Sequence, residues 1–285
     1  MQFWWQLPWI PAVTAGIFIS IGLFGAGYYF WRKTNEEHFN LLVTFDGLLY
    51  SIAGALVAGR LSYILMRWEW ATFSIDKFFN IWQYPGLWTP AGLVAAYAVM
   101  AWSARRQKRE PFEIWDYYTL ALTWFLGWYW LSRLAVGAAA GISTTWPIGV
   151  LFPQRVEPAH PVQLYAAVVL LLLFKYLWWA EPRYRFFLWY RSRKRTAKSG
   201  YLFAIFLIVF GLAGLLLSFV QYPFLMVLDL DINQIFHVVL FVAGCVVLYI
   251  RSGQSFFVKK EKGRNATSIS EPTTGIEKTA GTELS

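Results

Sequence analysis

Arg60 and Arg133 lie within long apolar segments of the sequence, residues 41–66 and 115–140. At 1.5 Å per helical residue, Arg60 lies about 9 Å from the end of its segment, and the depth of Arg133 is similar. A charged group in such a segment is costly, which makes each arginine a candidate functional residue. A guanidinium group presents a planar fork of donors that suits phosphate. We therefore predict that both arginines bind an anionic phospholipid headgroup.

Further polar side chains mark the same end of the neighbouring apolar segments; they are His160, Gln163, Tyr165, Gln221 and Gln234. His160 and Gln163 are three residues apart and can share a helix face. We predict that these groups and the two arginines surround one headgroup-binding cavity. Two alternatives stay open. His160 can be a solvated or capping residue, and Arg60 can extend its charge to the lipid surface.

The remaining polar residues of the apolar segments point to no chemistry. Asp46 lies near the opposite end of its segment, where water or a nearby Lys or Arg can satisfy it. His237 is expected to face a neighbouring helix or to form a hydrogen bond within the bundle. The single cysteine, Cys245, is expected to pack among apolar side chains. Because no cluster of His, Cys and carboxylate residues forms a ligand set, we expect neither a metal nor a cofactor.

The composition predicts an all-α membrane protein. The chain is 58% hydrophobic and 20% aromatic with a mean hydropathy of +0.43, above the apolar share of soluble domains. Apolar segments of a length that crosses a hydrocarbon core as a helix recur along it. We predict a bundle of seven transmembrane helices, near residues 11–31, 41–66, 89–103, 115–140, 161–180, 201–221 and 234–250.

The basic residues of the connections predict the orientation. The connection 105–110 holds four Lys and Arg and 181–200 holds seven, whereas 222–233 holds none. Connections rich in Lys and Arg alternate with connections that hold few, and the rich ones are expected on the cytoplasmic side. The N-terminus is therefore expected outside and the C-terminus inside. Orientation thus accounts for the net charge of +9, and a nucleic-acid partner is not expected. Segment 67–88, with four Trp, is predicted to lie in the outer interface, and 254–285 to be a disordered cytoplasmic tail.

Several motifs of the chain resemble the prolipoprotein diacylglyceryl transferase family. The stretch "HPVQLYAA" (160–167) is similar to the family's His-Pro-Ser-Gln-Leu-Tyr-Glu motif. The stretch "GALVAGRLSYIL" (54–65) resembles its Gly-Gly-Arg-(Leu/Ile)-Gly-Tyr segment. "SRLAVGAAAG" (132–141) stands where the family has Gly-Arg-Leu-Gly-Asn-Phe-Ile-Asn-Gly-Glu. The resemblance runs over roughly residues 10–250, in the family's order.

The resemblance implies an activity and roles for the candidate residues. The family transfers the diacylglyceryl group of phosphatidylglycerol to the thiol of a lipobox cysteine in a prolipoprotein, in the bacterial inner membrane. It therefore implies two partners, the phospholipid and the signal peptide of a prolipoprotein. Arg133 and His160 are implied as catalytic residues, His160 as the base. The implied headgroup-binding residues are Arg60, Arg133, Gln163, Tyr165 and Gln234.

The chain departs from the family pattern at several polar positions, which here are Pro90, Val136, Gly141, Ala166, Gly214, Ser218 and Gln221. Loss of these groups favours a second hypothesis, a catalytically inactive relative that binds phospholipid or lipoprotein precursors. A transporter is a third hypothesis, although polar groups at one depth differ from the midplane site and broken helices of that class.

A labelling experiment tests the predicted orientation. A cysteine introduced at Ser199, in a chain whose Cys245 is replaced by alanine, is expected to resist an impermeant thiol reagent added to intact cells. The same cysteine is expected to react after the membrane is opened. Labelling of Ser199→Cys from outside intact cells would overturn the orientation of every helix.

Overall fold

The computed structural model describes residues 9–66, 75–80, 83–84, 86–153, 155–191 and 199–252. Helices account for most of this part of the chain. The long helices are α1 (Trp9–Glu36), α2 (Leu41–Met66), α4 (Thr89–Arg106), α5 (Pro111–Ala135), α6 (Val162–Arg191), α7 (Tyr201–Ser218) and α8 (Ile232–Ser252). Between α2 and α4 lies the short helix α3 (Ile75–Phe79). Between α7 and α8, β1 (Met226–Val227) and β2 (Leu230–Asp231) pair antiparallel.

Five of these helices are long and apolar enough to cross a membrane, namely α1, α2, α6, α7 and α8. The prediction of an all-α, polytopic membrane protein is thereby confirmed, whereas the seven-span count and the orientation stay predictions. Helix α5 is not among these five, and it carries polar side chains in the interior of the bundle. It packs against α1, α4, α6 and α7, so its buried Asp116, Thr119 and Thr123 meet protein rather than lipid.

Helix α5 ends at Ala135, before the predicted limit of 140. Gly137 follows in the left-handed region, with φ of 68°, which favours glycine just beyond a helix end. The amides of Gly137 and Ala138 donate to the carbonyls of Leu134 and Arg133. The turn therefore stops the helix two residues after Arg133 and fixes this arginine in its last turn.

Two predicted segments fall largely or wholly outside the described residues. Of the expected interfacial segment 67–88, the structure describes α3 and a few residues before α4, and 67–74 lies outside the described part. The expected tail 254–285 lies entirely outside it.

An aspartate of α5 holds the start of α7. The carboxylate of Asp116 accepts hydrogen bonds from the backbone amides of Gly200 (2.7 Å) and Phe203 (2.9 Å). The first amides of a helix have no partner within it, and Gly200 has no side chain with which to cap them. Because Asp116 is buried, these bonds fix α7 against α5 in a region closed to water.

Removing this carboxylate is expected to destabilise the protein. Asp116→Ala leaves two buried amides without an acceptor, each costing about 1–3 kcal/mol, so we expect at least about 2 kcal/mol in the free energy of unfolding. The matched control is Glu113→Ala, one turn earlier, which breaks the partly exposed ion pair with Arg109 and should cost under about 1 kcal/mol. Denaturant titrations in detergent micelles measure both losses. Equal losses would contradict the capping role.

Candidate functional site

A cavity of about 620 Å³ lies at the end of the bundle where α2, α5 and α7 finish and α4, α6 and α8 begin. Most of its wall is apolar, as in typical ligand pockets. The polar side chains on the wall are Arg60, Tyr63, Thr89, Tyr129, Trp130, Arg133, Ser218, Gln221, Asn233 and His237. The two arginines singled out from the sequence thus line the same cavity.

Arg133 is partly buried on the cavity wall. Across the described part of the chain, no hydrogen bond or ion pair engages its guanidinium group. Its place in the last turn of α5 favours a positive charge, since the carbonyl end of a helix carries partial negative charge. A cation held beside an apolar cavity with no protein partner in the described residues is suited to an anionic ligand.

Arg60 is 3% exposed and is engaged with backbone carbonyls. Its Nε donates to the carbonyl of Phe78 (3.1 Å) and its Nη1 to that of Gly86 (2.9 Å). Gly86 has φ of 143°, and a side chain there would overlap the ring of Tyr63. Arg60 therefore fastens the segment before α4 to α2 at the edge of the cavity, and it does not extend to the surface of the bundle.

His160 and Tyr165 lie outside the cavity wall. The predicted partners on a shared face were His160 and Gln163, but Nδ1 of His160 lies 3.5 Å from the hydroxyl oxygen of Tyr165. The backbone of His160 is bonded to the loop that follows α5. Its amide donates to the carbonyl of Ile142, and its carbonyl accepts from Gly141. His160 does not line the wall of this cavity, and its role as a catalytic base stays a prediction.

Gln163 and Gln234 also lie outside the cavity wall and serve local structure. Gln163 is fully buried, and its Nε2 donates to the carbonyl of Ala138 at 2.7 Å, which joins α6 to the turn after α5. Gln234 accepts from the backbone amide of Asp231 at 3.2 Å, while Asp231 accepts from the amide of Asn233. This pattern resembles a capping box at the start of α8. Roles of these two residues in headgroup binding stay predictions.

His237 is a cavity residue that the sequence reasoning did not single out. It lines the wall together with Asn233, four residues earlier on the same face of α8. Its ring packs edge-on against Phe210 and Phe236, with centroids 5.6 and 5.7 Å apart. Its Nδ1 is buried and has no hydrogen-bond partner within the described residues.

The family model for prolipoprotein diacylglyceryl transferase matches residues 2–250 of the chain. The chain belongs to the prolipoprotein diacylglyceryl transferase family. A phosphatidylglycerol–prolipoprotein diacylglyceryl transferase of Aeromonas salmonicida is 27% identical over 243 residues, which cover 80% of this chain and 82% of the relative. The proteins of the same name from Aeromonas hydrophila and Zymomonas mobilis are 27% and 29% identical, covering 72% and 63% of this chain and 73% and 60% of the relatives. The resemblance drawn from the motifs is confirmed.

The departures from the family motifs cluster on the cavity. Five of the seven lie on its wall: Pro90, Ala166, Gly214, Ser218 and Gln221. Of the other two, Val136 directly follows α5, and Gly141 lies where a side chain would overlap the carbonyl of Val220 and crowd His160. This member of the family thus has its own set of polar groups around the cavity, in which Arg133 is retained.

Substitutions at Arg133 test its role as a phosphate ligand. Arg133→Ala is expected to weaken phosphatidylglycerol binding by about 1.5–3 kcal/mol, roughly ten- to hundredfold, the value of a hydrogen bond to a charged group. Arg133→Lys should be intermediate, because it keeps the charge and loses the fork. His160→Ala should weaken binding least. Native mass spectrometry or calorimetry measures the three affinities, and an Arg133→Ala variant that binds like wild type contradicts the phosphate contact.

Proposed function

We propose that this chain is a phosphatidylglycerol–prolipoprotein diacylglyceryl transferase of the bacterial inner membrane. It crosses the membrane seven times with its N-terminus outside and its C-terminus inside. It transfers the diacylglyceryl group of phosphatidylglycerol to the thiol of a lipobox cysteine, which the signal peptide of a prolipoprotein presents. Family membership supports the reaction type, and the names of the relatives indicate the two substrates.

The observation that carries the proposal is the Arg133 guanidinium on the wall of an apolar cavity. A phospholipid combines an anionic phosphate with long apolar chains, and the cavity combines a cation with apolar walls. The phosphate is proposed to lie at Arg133, where two parallel N–H bonds can hold it. The apolar wall accommodates the start of the acyl chains.

The reaction creates negative charge on a leaving phosphate, which a cation can stabilise. The thiol sulfur attacks the glyceryl carbon that carries the phosphate, and the bond between this carbon and the phosphate oxygen breaks. Glycerol phosphate leaves with a growing negative charge. A fixed guanidinium beside the leaving phosphate stabilises that charge more in an apolar site than it would in water. Arg133 is proposed to supply this stabilisation, and Arg60 to hold the segment before α4 that closes the cavity.

A second candidate is a family member that binds phospholipid without turnover. The apolar or absent side chains of Pro90, Ala166 and Gly214 on the cavity wall favour it, since polar groups stand at these positions in the family motifs. For a transporter, the third hypothesis, a polar path from Asp46 would be needed. Asp46 is exposed and does not line the cavity, so the structure adds no support to it.

One assay separates the first two candidates. Purified protein is incubated with phosphatidylglycerol and a lipobox peptide, and the peptide mass is measured. We expect a gain of one diacylglyceryl group, absent for a peptide with serine in place of the lipobox cysteine and reduced with phosphatidylethanolamine. Phosphatidylglycerol binding without any mass gain would favour the binding protein over the enzyme.

A further inference from the structure

The imidazole of His237 occupies the space in which a side chain at position 214 would lie. A Cβ atom added to Gly214 would overlap three atoms of the ring, Nδ1, Cε1 and Nε2. Gly211, one turn earlier on α7, also leaves no room for a side chain. A Cβ atom there would come within 2.6 Å of the amide nitrogen of Phe241. Helices α7 and α8 therefore approach closely, and the His237 ring is seated on the bare backbone of α7.

The imidazole also lines the cavity, and its Nδ1 is buried with no hydrogen-bond partner in the described residues. The neighbouring rings of Phe210 and Phe236 offer no conventional hydrogen-bond acceptor to the ring nitrogens. A neutral imidazole has one donor nitrogen and one acceptor nitrogen. Burial of a polar nitrogen with no partner costs free energy, and such groups in native proteins call for an explanation. Because Nδ1 is closed to the cavity, Nε2 is the ring nitrogen through which a substrate in the cavity can bond to His237.

Among the described residues on the cavity wall, five have titratable side chains: Arg60, Tyr63, Tyr129, Arg133 and His237. Arginine stays protonated in proteins, and tyrosine ordinarily titrates near pH 10. Histidine is the type among them that both accepts and releases a proton near neutral pH. The wall residues contributed by α4, α6 and α7 have no titratable side chain. Asp231, at the start of α8, is buried and accepts the capping hydrogen bonds of that helix.

We propose that His237 is the proton-transferring catalytic residue of the cavity. It takes the proton of the attacking cysteine thiol and delivers it to the departing glycerol phosphate. This inference rests on the proposed function. The bond between sulfur and the glyceryl carbon forms, and the electron pair of the broken carbon–oxygen bond passes to the phosphate oxygen. The phosphodiester monoanion thus leaves as a singly protonated phosphomonoester, and the total charge is unchanged.

The step creates two charges inside the cavity, a positive charge on the imidazole and a negative charge on the leaving phosphate. Imidazolium forms as the phosphate gains negative charge, so the two attract each other. Arg133 contacts the same phosphate and is not asked to give up a proton. His160, the base implied by the family motif, is outside the wall and lies beside the hydroxyl of Tyr165. The assignment therefore moves the acid–base role from the loop to α8.

Turnover of the full-length protein with phosphatidylglycerol and a lipobox peptide tests the assignment. His237→Gln is expected to lower kcat about a hundredfold or more, the usual contribution of a general acid–base group, while KM and phosphatidylglycerol affinity change little. The acidic limb of the pH profile of kcat should disappear with it. His38→Gln is the matched control, since His38 is exposed at the opposite end of the bundle and should leave turnover unchanged.

Chemical rescue separates chemistry from structure. His237→Ala vacates the space beside Gly214, and added imidazole is expected to restore part of the lost turnover. Rescue together with retained lipid binding supports the assignment. A His237→Gln variant as active as wild type, a loss confined to His160→Gln, or a loss that accompanies lipid release without rescue overturns it and leaves the transferase proposal standing. Absence of product from wild type overturns both.

Discussion

A guanidinium group inside an apolar bundle has to find an acceptor, and Arg60 and Arg133 do so in different ways. Arg60 donates to two backbone carbonyls of the segment before α4, so protein satisfies it. Arg133 has no such partner in the described part of the chain and lies on the cavity wall. The same residue type at similar depth thus serves structure in one helix and ligand binding, as we propose, in another.

The position of Arg133 depends on the helix that carries it. Helix α5 packs against four other helices, and Asp116 at its beginning fixes the first turn of α7. At its other end, the turn at Gly137 stops the helix, and Gln163 of α6 holds the carbonyl of Ala138. Both ends of α5 are therefore tied to its neighbours, which fixes the cation relative to α6 and α7.

Depth along a helix can be predicted from sequence, and orientation around its axis cannot. Counting residues placed Arg60 and Arg133 at one level, and the structure confirms that both line one cavity. The same counting also predicted Gln163 and Gln234 as headgroup-binding residues. In the structure, Gln163 is bonded to the turn after α5, and Gln234 is bonded to the residue that caps α8. The Asp-x-x-Gln spacing at 231–234 was a signal for that cap. His237 became visible only when the close approach of α7 and α8 placed it over Gly214.

The bonds of Arg60 impose an order on the biosynthesis of the protein. Its two carbonyl partners lie 18 and 26 residues later in the chain. When the ribosome has completed α2, neither carbonyl has yet been synthesised, so these two hydrogen bonds cannot form. The contact that they make between α2 and the segment before α4 can form only after that segment has been synthesised. The arginine therefore makes maturation of this half of the bundle dependent on the synthesis of a segment outside the helix.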